Sequence, residues 1–205
     1  MRGVRSLCVA ASVCATGCFF ELDPPNRDPL PGGGPVTETV ISPGAVWRYL
    51  DTGSAPSDWN QTQFDDSNWK SGPAELGYGD GDETTVVGFG PNENEKFITT
   101  YFRHGFELSL KQLTAARLNV LRDDGVVVYV NGTQAFIDNL PEIVTASTPS
   151  LTGVSKDAEA TFLSADVDPK LFVIGKNVVA VEIHQDGASS TDISFDLKLE
   201  LDGQR

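Results

Sequence analysis

Beyond residue 18 the chain has no cysteine. Cys8, Cys14 and Cys18 all sit at the N-terminal edge, so the folded body holds neither a disulfide framework nor a thiolate metal site. Basic residues are also scarce: 15 Lys and Arg against 29 Asp and Glu give a formal charge of -14. Such a surface repels phosphate, which argues against nucleic acid and against anionic lipid as partners. It suits calcium, neutral sugars or plain solubility. Histidine is limited to His104 and His184, so few side chains can move protons near neutrality. There is no GxSxG, HExxH or P-loop motif, and the chain reads as non-catalytic. The carboxylate pairs Asp65-Asp66 and Asp123-Asp124 fall in turns, where such residues serve backbone geometry. No tandem repeat and no amphipathic helix of three turns is present.

The N-terminus reads as an address. Arg2 and Arg5 precede the apolar run LCVAASVCATG, which is too short to span a bilayer. Residues 1–17 are expected to be a signal peptide. Ala15-Thr16-Gly17-Cys18 resembles the bacterial lipobox, with Ala15 where leucine is usual, and implies acylation of Cys18. Residues 18–41, rich in proline, glycine and acid, read as a linker. The expected location is the bacterial cell envelope, lipid-anchored; the alternative is secretion.

Residues 42–203 read as a single all-β domain. Apolar content of 40% and charged content of 21% fit a globular chain of this length. Ala115 to Asp138 carries Val126-Val127-Val128-Tyr129-Val130 between Asp124-Gly125 and Asn131-Gly132. Two such dipeptides around a β-branched run predict a three-stranded meander with two hairpin turns. Further strands are expected at 45–50, 97–108, 159–163, 177–184 and 192–201, the last with Ile193, Phe195, Leu197, Leu199 and Leu201 inward. On 97–108, Ile98, Thr100, Phe102, His104, Phe106 and Leu108 share the expected inward face. The glycine-rich stretch 71–94 reads as a long loop with one or two short strands. About eight antiparallel strands make a β-sandwich or jelly roll.

Several stretches together resemble a known family. They are Trp47-Arg48-Tyr49-Leu50 with Asp51-Thr52-Gly53, Phe64-Asp65-Asp66-Ser67-Asn68-Trp69 and Leu76-Gly77-Tyr78-Gly79-Asp80-Gly81. Tyr101-Phe102-Arg103, Asp123-Asp124-Gly125 to Asn131-Gly132, and Asn177-Val178-Val179-Ala180-Val181-Glu182 complete the set. This pattern is similar to the galactose-binding-domain-like jelly rolls. They include modules appended to secreted bacterial hydrolases and the sugar-binding domain of family 2 glycosidases. The resemblance covers about Ser42 to Leu201 and implies the fold; the family carries sugar-binding, calcium-binding and purely structural roles.

The candidate ligand rim is Trp59, Trp69, Tyr78, His184, Gln185 and Asp192. Aromatic faces stack on sugar rings, while amides and carboxylates take hydroxyls. The competing reading makes Trp59, Trp69 and Phe64 core or loop-pinning residues. Asp80, Asp82 and Glu83 place three carboxylates in one glycine-rich loop, a candidate Ca²⁺ site that the resemblance also supports. The expected function is a surface-anchored, non-catalytic binding module for carbohydrate. The alternative is a structural or adhesion component, calcium-stabilised and facing another cell-surface protein. The membrane is reached only through the anchor.

Overall fold

Along Ile193–Gln204 apolar residues alternate with polar ones, and the alternation decides which side faces the core. In the computed structural model, which describes residues 34–154 and 156–205, Ile193, Phe195, Leu197, Leu199 and Leu201 are each at most 1% exposed. This strand, β12, is the spine of one sheet. The strands before it are β1 (Pro35–Ile41), β2 (Val46–Leu50), β3 (Lys70–Pro73), β4 (Leu76–Tyr78), β5 (Thr85–Val86) and β6 (Thr99–Leu108). Then come β7 (Gln112–Asp123), β8 (Gly125–Val130), β9 (Thr133–Asp138), β10 (Leu163–Val167) and β11 (Gly175–His184). One helical turn, α1 (Lys156–Glu159), and a 3-10 turn (Pro169–Leu171) interrupt them.

The strands form two six-stranded sheets. The first runs β10-β7-β12-β4-β5, with β1 also paired to β12. The second runs β3-β2-β6-β11-β8-β9. The core lies between them: Phe195 meets Trp47 edge-on at 4.9 Å and Phe102 at 4.4 Å, all three fully buried. Each such side chain contributes about 1.5–3 kcal/mol by leaving water. The chain is an all-β sandwich, as its alternation implies.

Four expectations need correction. The strand count is twelve, not eight, because the glycine-rich stretch supplies three short strands, and β4 pairs β5 in parallel. Residues 35–41, assigned to the linker, form β1 and pair antiparallel along β12 from Pro35↔Gln204 to Ile41↔Leu199. Alternating Val36, Glu38 and Val40 with Ile41 is a strand pattern masked by the prolines around it. Asp124-Gly125 is not a hairpin: β7 belongs to one sheet and β8 to the other, so the chain crosses between sheets there. Asn131-Gly132 does turn β8 into β9, with φ of 51° and 86°. Glu159 ends α1, and the strand expected from it begins at Leu163. The signal peptide, Cys18 and the linker to residue 33 lie outside the described residues.

Around Tyr101, Arg103 and Ala180 the second sheet is covered on both faces. Across β6, β11 and β8, Arg103, Ala180 and Tyr129 align in register, as do Tyr101, Glu182 and Val127. This outer face is roofed by residues 51–69. The buried Arg103 holds the roof in place. Its Nε donates to Asp66 Oδ2 at 2.8 Å, and its guanidinium donates to the carbonyls of Trp59, Gln61 and Phe64 while resting 5.2 Å from the Phe64 ring.

Candidate functional site

The strand ends at one pole gather carboxylates. Gly79 and Gly81, at φ of 114° and 84°, swing the chain after β4 so that Asp80 comes beside the start of β12. An alanine at Gly79 would put its Cβ 2.6 Å from the Thr191 carbonyl. The side-chain oxygens of Asp80, Asp82 and Glu83 lie within 4.8 Å of one another, so the predicted loop set does converge. Glu83 is already engaged: its two oxygens accept from the Asp80 and Gly81 backbone N–H groups at 2.9 and 3.0 Å.

A second set forms on the same Asp80. Its carboxylate, Glu159 from the end of α1 and Asp192 from the loop before β12 also lie within 4.8 Å of one another. These three residues come from segments far apart in sequence. Beside them is a cleft of about 330 Å³ lined by Glu75, Asp80, Asp82, Leu121, Glu159, Ala160 and Ser194. Ser194 Oγ donates to Asp80 Oδ2 at 3.4 Å.

The electrostatics record the crowding. Burial, then the charges of Asp192 and Asp82, push the Asp80 carboxyl upward. Burial also raises Glu75, with Asp82, Asp196 and Asp80 adding to it. Asp123, 1% exposed at the end of β7, is pushed up to about 9 by burial and then by Asp124, Asp192 and Glu159. Hard carboxylate oxygens in flexible loops fit Ca²⁺ and lack the imidazole or thiolate that zinc prefers.

The other predicted rim residues serve the fold. Trp59 and Trp69 are 8% and 9% exposed and stack at 6.4 Å on the inner side of the roof, with Tyr101 against Trp59 at 4.9 Å. Their faces are spent in packing, so they offer no sugar platform. Tyr78 is buried against Phe89, and its hydroxyl is pushed well up by burial and then by Asp192. His184 is fully buried: Nδ1 lies 2.8 Å from the Thr148 carbonyl and 3.0 Å from Thr99 Oγ1, with Nε2 3.5 Å from Glu182 Oε2. Glu182 accepts from the Tyr129 hydroxyl at 2.7 Å. Gln185, also buried, donates from Nε2 to the Phe97 carbonyl. Of the six rim candidates, only half-buried Asp192 joins the carboxylate cluster beside the cleft. His104 is half-buried on Trp47 at 5.3 Å, with Nδ1 2.9 Å from the Val46 carbonyl, and burial lowers its pKa.

Asp124 fastens this pole. Its two carboxylate oxygens accept from Val154 N and Asp186 N, each at 2.7 Å, so the loops after β9 and β11 are stapled to the sheet crossover. Sequence reasoning missed Glu159, placed in a strand, and gave Asp123 only a turn role. It also passed over Glu75 and Ser194, which carry no motif.

No protein-family model matches the chain, and no curated protein matches it. Some solved structures are similar to it at low identity. One is the Bacteroides uniformis β-glucuronidase, 15% identical with a TM-score of 0.49 over 82% of this chain and 18% of that one. A β-glucuronidase from glycoside hydrolase family 2 is 12% identical, with a TM-score of 0.49 over 84% and 18%. A Bacteroides vulgatus β-glycosidase is 16% identical, with a TM-score of 0.44 over 79% and 20%. The chain thus spans about a fifth of these glycosidases. Likeness at this level says nothing of what the chain binds.

Proposed function

We propose that the chain is a non-catalytic binding module of the bacterial envelope, carried on a lipid anchor at Cys18. Its acidic pole holds Ca²⁺ and offers the adjoining cleft to a carbohydrate. One observation carries this reading: Asp80, Glu159 and Asp192 bring carboxylate oxygens within 4.8 Å of one another at the mouth of a polar cleft. Three carboxylates so close repel one another, and a divalent cation removes that cost while linking three distant segments. Ca²⁺ takes 6–8 oxygens, so positions remain for ligand hydroxyls. The mixed carboxylate and hydroxyl lining suits a neutral polyol and rejects anions.

Calorimetric titration of the EDTA-treated protein with CaCl₂, followed by a glycan array with and without EDTA, tests both parts. Saturable calcium binding lost in Glu159→Gln, together with glycan signals abolished by EDTA, is the expected result. Calcium binding without any glycan signal leaves the second reading, a structural or adhesion component that meets another surface protein. The burial of Trp59, Trp69 and Tyr78 favours that reading, because it removes the stacking surface most sugar sites use. No heat of calcium binding refutes the cation site.

A further inference from the structure

The opposite pole has a different character. Between the β6–β7 connection and the 3-10 turn lies a groove of about 300 Å³ lined by Leu108, Leu110, Leu113, Phe172 and Ile174, with Lys111, Lys170 and Pro169. Its lining holds no carboxylate. At its lip Val173 and Ile174 stand consecutively in water, 53% and 69% exposed, where Gly175 at φ 94° starts β11. Lys111, Lys170 and Lys176 are exposed around them. Acids stand nearby too, most of them engaged within the fold. Asp168 accepts the Lys170 backbone N–H at 2.9 Å, Glu107 lies opposite Lys176 in register, Asp202 accepts from Thr37 and Glu38 pairs Arg205. An exposed apolar pair ringed by lysine is the footprint of a surface that meets anionic headgroups.

We propose that this pole docks on an anionic lipid bilayer, with Val173 and Ile174 among the headgroups and Lys111, Lys170 and Lys176 against the phosphates. The net charge of -14 does not forbid it. The carboxylates of the far pole stand about 30 Å away, the length of the ten-residue β11, several times the ~8 Å screening length at physiological salt. The direction of attachment agrees. β1 begins at this pole, where Pro35 pairs Gln204 and Lys111 N donates to the Gln204 carbonyl at 2.8 Å. A lipid on Cys18, about 17 residues upstream, would tether this end within ~55 Å of the membrane. That orientation rests on the anchor reading; the docking chemistry does not. Among the described residues no helix is long and apolar enough to cross a membrane.

The test uses the full chain with Cys8, Cys14 and Cys18 changed to Ser, which removes any acylation. An environment-sensitive dye is placed at Ile174→Cys or, as a control near the acidic pole, at Val86→Cys, which is equally exposed. Vesicles are pure phosphatidylcholine or an equal mixture with phosphatidylglycerol. The expected result is an emission rise of about threefold at position 174 with anionic vesicles alone, abolished by Lys111→Glu with Lys170→Glu and by high salt, and no rise at position 86. Equal responses at both positions, or none, overturn the proposal. A response at 174 that grows with protein concentration without lipid also overturns it, since a second copy then covers the face. Mass spectrometry of Cys18 in the unaltered chain decides the anchor reading separately.

Discussion

Replacing Arg103 by methionine tests whether the roof of residues 51–69 is built on one buried charge. Arg103 is 2% exposed and meets one carboxylate, three carbonyls and one ring. Methionine keeps much of the volume and none of the donors. The loss has two parts. Breaking a buried ion pair by removing one partner costs about 3–5 kcal/mol. Asp66 keeps 30% of its side chain in water, which places the pair at the lower end of that range. The carbonyls of Trp59, Gln61 and Phe64 then need new partners, adding about 1 kcal/mol or more. A total of about 4 kcal/mol is a large share of a typical domain's 5–15. For a domain of this size it lowers the melting temperature by about 8–16 °C. Thermal unfolding by circular dichroism gives the stability. Tryptophan emission gives the mechanism, because Trp59 and Trp69 belong to the roof and Trp47 to the main core. Red-shifted emission from the folded Arg103→Met protein shows the roof lifting while the sandwich stays closed. A double-mutant cycle with Asp66→Asn apportions the ion pair. A fall of under 1 kcal/mol with unshifted emission refutes the reasoning and makes the aromatic packing self-sufficient.

Other perturbations read other parts of the molecule. Phe195→Ala leaves a cavity beside Trp47 and Phe102 and should cost about 3–5 kcal/mol in urea unfolding, with the emission of Trp47 changed. Gly77→Ala drives a Cβ to 2.0 Å from the Ile193 carbonyl, where β4 pairs β12, and should prevent soluble expression or lower the melting point by more than 10 °C on the scale of about 2–4 °C per kcal/mol. Asp123 has its pKa raised in the fold to about 9, so the folded state holds the proton more tightly than the unfolded state does. Its stabilising effect is complete below the ordinary aspartate range and is lost as pH rises through about 9. In EDTA, melting temperature should therefore decline from pH 5 to pH 9, and Asp123→Asn should flatten the decline. Burial depresses the pKa of His104, so its contribution is present above the ordinary imidazole range and lost as pH falls through the lowered value. His104→Gln should accordingly reduce the loss of stability in mild acid, measured against the parent at matched pH.

What could be read from the sequence follows the reach of each signal. β12 and β11 were legible because alternation and β-branched runs are local, and the core they face imposes period two. β1 was hidden because its flanking prolines speak for a linker and its pairing partner lies more than 150 residues away. Asp124-Gly125 has the composition of a hairpin turn, yet a crossover between sheets demands the same compact residues. Only the partners of β7 and β8 separate the two cases, and partners are non-local. The site divides the same way. Asp80, Asp82 and Glu83 are neighbours in sequence and were found. Glu159 and Asp192 join Asp80 only through the fold.

The burial of the tryptophans bears on where contact is made. Over Tyr101 and Ala180 the outer face of the second sheet is closed by its roof, whose Trp59 and Trp69 pack inward against them. The outer face of the first sheet stays polar: Lys198 pairs Glu200 at 2.8 Å, and Arg117 pairs Asp166 at 3.3 Å, both partly exposed to water. Solvated charges of this kind contribute little to stability and resist desolvation by a partner. The poles differ from each other: one concentrates carboxylates whose mutual repulsion a cation would relieve, and the other leaves Val173 and Ile174 in water among lysines. A sandwich with opposed chemistry at its ends fits the proposed module, held at one end and presented at the other. On this view, moving a charge between the poles should matter more than changing one on a face. Lys170→Glu should weaken vesicle binding and leave calcium affinity alone, and Asp192→Asn should do the reverse. If both variants weakened both activities equally, the two poles would not be independent sites.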